Sequence, residues 1–181
     1  MARPDLTGRW AGGYAQHGAD RPLWAVLQQN GEVLTGRMFD LDPRYETALG
    51  ELVESQGMAP GADEAIVARM RALFPDEADA PVRGSVVLPS ESDLEGSVID
   101  HGVRFLKRYR GTSFAGFRVG DVQVGIAGQD HMVLYEGRVS PDGLHIEGRW
   151  LIPGLAEGER AEGPFTLNRI EERESGPEIS G

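Results

Sequence analysis

Cysteine is absent from the 181 residues, which excludes disulfides, thiolate metal sites and a cysteine nucleophile. Long apolar runs are missing too: no stretch approaches the ~20 residues that cross a bilayer as a helix. Basic charge is scarce, with 18 Lys and Arg against 29 Asp and Glu and a net charge of −11. Such a surface repels phosphate backbones and anionic lipids, so neither nucleic acid nor membrane is expected as a partner. The longest basic cluster, Lys107-Arg108-Tyr109-Arg110, falls in a strand pattern that splits its charges between two faces. Histidine is limited to His17, His101, His131 and His145, and no set of three metal ligands can be assembled from them. Dinucleotide and P-loop fingerprints are missing, and no serine sits in a nucleophile elbow. No cofactor, metal or catalytic set is therefore assigned. The start, Met1-Ala2-Arg3-Pro4-Asp5, has no apolar run behind a basic segment, so no leader is expected and the compartment read is the cytoplasm.

What is present is β punctuation. Hydrophobic residues make up 40% of the chain, and 25 glycines recur between short apolar segments. The length suits one domain, residues 1–170, followed by a flexible acidic tail, 171–181. Alternation predicts strands at 7–16, 23–29 and 32–40, with Asn30-Gly31 as a type I′ hairpin turn between the last two. Asp42-Pro43 then reads as a helix start, with Tyr45, Leu49, Leu52 and Val53 at helical spacing. A second helix is expected over 63–74, carrying Ile66 and Met70 and stopped by Pro75. Residues 41–82 thus form a two-helix insertion. Its apolar stripes would pack on the barrel, close one mouth as a lid, or make a homodimer contact. Strand patterns resume at 82–88, 94–100, 103–111, 114–119, 122–126, 131–139, 144–152 and 164–170, with Pro141-Asp142-Gly143 as a turn. The fold class expected is all-β: a closed antiparallel up-and-down barrel of about 8–10 strands, because closure removes sheet edges. A two-sheet sandwich is the rival.

Gly8-Arg9-Trp10 on the first strand and Asn168-Arg169 on the last resemble the structural signature of lipocalin and avidin-like (calycin) barrels. The run from Leu27 to Gly36 is similar to the strand–turn–strand that follows in that group. Tyr135-Glu136-Gly137 and Ile146-Glu147-Gly148-Arg149-Trp150 resemble late strands of small bacterial lipocalin-like domains. The resemblance implies a structural clasp in which Trp10 stacks with Arg169 at one barrel end. The insertion is not typical of the group, its usual late helix is not evident, and biotin-site residues cannot be placed.

Parity from Trp10 assigns an inward face of Tyr14 and Gln16; Val103, Phe105, Lys107 and Tyr109; His131, Val133 and Tyr135; Ile146, Gly148 and Trp150; then Phe165, Leu167 and Arg169. A barrel of about eight strands has room for side chains or one small ligand. Tyr14, Gln16, Lys107, Tyr109, His131, Tyr135 and Trp150 are the candidate ligand-binding residues, because buried polar groups need partners. Two readings of Lys107 stand: an anchor for a carboxylate or carbonyl, or a rim residue with its amine in water. The function expected is binding of a small, partly apolar ligand, carboxylate-bearing in one version, inside the barrel. The alternatives are an isomerase, cyclase or hydratase using His131 or Lys107 with Tyr109 or Tyr135, and an interaction module with a filled core.

Overall fold

A computed structural model describes residues 4–16, 18–55, 58–127, 132–153 and 161–170. In chain order the elements are β1 (Gly8–Gln16), β2 (Ala19–Asn30), β3 (Val33–Asp40), β4 (Arg44–Thr47), α1 (Leu49–Ser55), α2 (Ala62–Leu73) and β5 (Val82–Val87). Then follow β6 (Glu91–Ile99), β7 (Gly102–Tyr109), β8 (Phe114–Val119), β9 (Val122–Ala127), β10 (Met132–Val139), β11 (His145–Leu151) and β12 (Glu162–Ile170). Eight strands close into an antiparallel barrel in the order β1-β12-β11-β10-β7-β6-β3-β2. Every neighbour is antiparallel, and closure runs through β1 and β12, with Trp10 opposite Arg169. Glycine permits the tightest approaches of the wall: a Cβ on Gly12 would lie 1.9 Å from the Thr166 carbonyl oxygen, and one on Gly96 2.1 Å from that of Arg104.

Three of the strand patterns, at 82–88, 114–119 and 122–126, belong to a different sheet. β4, β5, β8 and β9 form a separate four-stranded antiparallel sheet in that order. Period-two alternation marks a half-buried strand but not which sheet it joins. This sheet is assembled from two excursions, one between β3 and β6 and one between β7 and β10. Both leave and re-enter the barrel at the same end. There the Asp40 N–H donates to the Ser90 carbonyl (2.8 Å) and the Arg110 N–H to that of Glu91 (2.9 Å).

The helical stripes pack on this sheet and not on the barrel wall. Leu49, Leu52, Val53 and Met70 form one buried cluster with Phe117 and Val119. The expected helix start at Asp42-Pro43 is also displaced. Arg44–Thr47 is strand β4, paired with β5 from Arg44 opposite Val87, and α1 begins only at Leu49. The Pro43 carbonyl accepts from the Leu88 N–H (2.8 Å), so sheet pairing overrides a local helix-start signal. The β2–β3 hairpin turns one residue later than Asn30-Gly31. Asn30 pairs with Val33, leaving Gly31-Glu32 as the loop. Only Gly31 has positive φ (61°), at the first loop position, where a type II′ turn takes glycine. Among the described residues, no helix is long and apolar enough to cross a membrane.

The barrel interior is a packed core. Trp10, Leu23, Ala25, Leu27, Leu34, Met38, Phe105, Tyr135, Ile146, Phe165 and Leu167 are all buried. Phe105 and Tyr135 stack at 5.0 Å between ring centroids, and Phe165 meets both edge-on. Three aromatic rings therefore cross the middle of the barrel in mutual contact.

Candidate functional site

The two barrel ends differ in chemistry. One is shut by Trp10, whose indole N–H donates to the Leu6 carbonyl (2.9 Å). The Arg169 guanidinium lies 5.8 Å from that ring and donates to the carbonyls of Asp5 (2.9 Å) and Thr7. The N-terminal segment is thereby tied across this mouth.

The other end, where the excursions leave, holds a buried ion pair. The Lys107 ammonium, on inward-facing β7, donates to both oxygens of Asp40, at 2.9 and 2.6 Å. Their side chains are 0% and 2% exposed. Lys107 therefore neither reaches out to water nor stands free to receive a carboxylate; its counterion is Asp40. Burial pushes the lysine below its ordinary value, and the Asp40 charge works against that.

Three of the chain's four tyrosines, Tyr14, Tyr109 and Tyr135, lie within electrostatic reach of this pair. The ammonium lies 4.5 Å from the Tyr109 ring centroid and 5.6 Å from that of Tyr14. Burial, then the Asp40 carboxylate, push the Tyr14, Tyr109 and Tyr135 hydroxyls well above the ordinary phenol value. Tyr45, from β4, is raised mainly by burial. Trp150 adds an aromatic wall: its indole N–H donates to the Ala15 carbonyl (3.0 Å), and its ring meets Tyr14 edge-on at 5.9 Å.

Tyr45 ties the excursion to the mouth. The Arg21 guanidinium sits 4.5 Å over its ring, and Gln16 hydrogen-bonds to it. Arg21 is 8% exposed and pairs with Asp42 at 3.0 Å. Two polar atoms beside Tyr45, the Nε of Arg21 and the Oε1 of Gln16, are buried with no hydrogen-bond partner among the described residues. A groove of about 370 Å³ runs along β1, β2 and β12, lined by Tyr14, Arg21 and Phe165 of the inward parity and by Ala15, Pro22 and Thr166 of the outward one among others.

Of the seven candidate binding residues, the structure gathers Tyr14, Gln16, Lys107, Tyr109 and Trp150 at this mouth and places Tyr135 just below. His131 lies outside the described residues. Sequence reasoning missed Asp40, Arg21 and Tyr45. Extending the inward parity of β3 beyond Leu34, Gly36 and Met38 leads to Asp40. Running β2 back from Leu27, Ala25 and Leu23 leads to Arg21. Tyr45 gave no such signal, because its spacing to Leu49 and Leu52 reads as helical.

The chain matches no protein family, no curated protein and no solved structure.

Proposed function

We propose that this protein is a lipocalin-like binding protein that takes a small, partly apolar molecule at the mouth ringed by Tyr14, Lys107, Tyr109 and Trp150. The carrying observation is the buried Lys107–Asp40 pair with Tyr14, Tyr109 and Tyr135 gathered around it at one end of an otherwise apolar core. Desolvating two charges costs several kcal/mol per ion, on the order of what their attraction returns, and packed apolar residues do as well or better for stability. Such a pair in a small barrel supports a role in recognition over one in stability. The stacked rings of Phe105, Tyr135 and Phe165 fill the middle, which supports a binding place at the mouth over one deep inside. Aromatic walls with a few convergent polar groups are the usual make-up of a small-ligand site.

The test is binding of an anilinonaphthalene probe followed by fluorescence. One saturable site per chain is expected, competed by a medium-chain amphiphile and weakened by Tyr109→Ala or Trp150→Phe. Trp24→Ala, on the outer wall where Trp24 stacks on Phe39 at 4.2 Å, should leave it unchanged. Loss of probe binding in Trp24→Ala alone would place the ligand outside the barrel and refute the reading.

A further inference from the structure

Charge and hydrogen bonding at the mouth narrow the class of ligand. Among the described residues that face inward at this mouth, the cations are each matched: Lys107 by Asp40, and Arg21 by Asp42. An incoming carboxylate would meet no unmatched positive charge and would lie against the Asp40 anion. An incoming ammonium would meet no unmatched negative one. What the mouth does offer is one donor, the Arg21 Nε–H, and one acceptor, the Gln16 Oε1, both buried and without a partner among the described residues. A buried polar atom left without a partner carries a desolvation penalty, so a group satisfying both relieves it on entry.

The two side chains project inward from neighbouring strands. Gln16 pairs with Ala19 and Tyr14 with Arg21, which makes Gln16 and Arg21 diagonal neighbours in the β1–β2 hairpin. Diagonal pairs lie roughly 7–8 Å apart at the backbone and converge only through their side chains. A group whose acceptor and donor sit on different atoms spans that gap better than a single hydroxyl.

We infer that the ligand bound at this mouth carries a neutral carboxamide, its carbonyl accepting from Arg21 Nε–H and its N–H donating to Gln16 Oε1, with an apolar tail. This rests on the mouth being the binding site. The tail lies against the rings of Tyr14, Tyr45 and Trp150. Arg21 keeps its bond to Asp42 throughout, so no charge is uncovered on binding.

The experiment displaces the anilinonaphthalene probe from the full chain with three ligands of one tail length: octanamide, octanoate and octylamine. Octanamide is expected to compete at least ~10-fold more strongly than either ion, because octanoate has no N–H for Gln16 and octylamine no carbonyl for Arg21. Arg21→Lys keeps the charge and removes the Nε–H, and Gln16→Leu removes the acceptor. Each should bring octanamide down to the affinity of octanoate, with the octanamide-to-octanoate ratio read within each variant so that a change in probe affinity or stability cancels. Octanoate or octylamine competing as strongly as octanamide would overturn the carboxamide assignment and leave mouth binding standing. An amide preference that survives both substitutions would overturn the roles of Arg21 and Gln16. If none of the three displaces the probe or changes Trp150 fluorescence, the mouth reading itself falls, and this inference with it.

Discussion

Replacing Lys107 by methionine keeps most of the side-chain volume and removes only the charge. The consequence falls on Asp40, whose side chain is 2% exposed and whose two oxygens both accept from Lys107. An uncompensated buried carboxylate costs about 3–5 kcal/mol. That is a large share of the ~5–15 kcal/mol that holds a domain folded. With a urea dependence of ~2 kcal/mol per molar, the unfolding midpoint should fall by ~2 M. Asp40→Leu should cost a similar amount by stranding the ammonium. The double variant removes both charges, so its loss should be smaller than either single loss. A residual cost of ~1–3 kcal/mol is expected, because the polar groups around Asp40 lose their charged neighbour. Urea unfolding of the four proteins, followed by far-ultraviolet circular dichroism, closes the cycle. Single losses below ~1 kcal/mol, or a double loss equal to their sum, would refute a desolvated, mutually dependent pair.

Alkaline pH should act through the tyrosines. Burial raises all four above the ordinary phenol value, so the folded state holds protons that the unfolded chain releases near pH ~10. Their contribution is complete below that pH and is lost as pH rises towards the folded values. Phenolate absorbance should therefore appear in one cooperative step together with unfolding; two tyrosines ionising near pH ~10 in an intact barrel would contradict the burial described. At the clasp, Arg169→Met removes the donor to the Asp5 and Thr7 carbonyls and should cost about 1–2 kcal/mol by urea unfolding, with probe binding at the far mouth unchanged. Gly96→Ala places a Cβ against the Arg104 carbonyl and should cost ~3 kcal/mol or leave the chain unfolded, whereas Gly50→Ala, with open space around its Cβ position, should stay within ~1 kcal/mol of wild type.

Barrel closure was legible because alternation and strand glycines act locally. The inward parity of Trp10, Tyr14, Phe105, Lys107, Tyr135, Trp150 and Leu167 follows from a period of two that no bulge interrupts within those strands. What was not legible is sheet membership. Val82–Val87 alternates much as Glu91–Ile99 does, yet one pairs with β8 and the other with β3 and β7. That choice is decided by where chain ends are delivered and by the helices covering the second sheet, and neither leaves a mark within the strand. The partner of Lys107 was hidden for a related reason. Asp40 is 67 positions away in sequence, and only closure of the barrel puts the two in contact. Tyr45 shows the same effect in reverse: its helical spacing to Leu49 lost to pairing between β4 and β5 and to the Arg21 guanidinium on its ring.

The three tryptophans report on three separate places: Trp10 in the clasp, Trp24 on the outer wall and Trp150 at the mouth. Their indole N–H signals, followed by nitrogen–proton NMR during titration with octanamide, test the mouth as the binding place more directly than any affinity does. Trp150 should shift saturably while Trp10 and Trp24 stay in place. A saturable shift of Trp24 with Trp150 unmoved, or no shift in any of the three, would contradict the account.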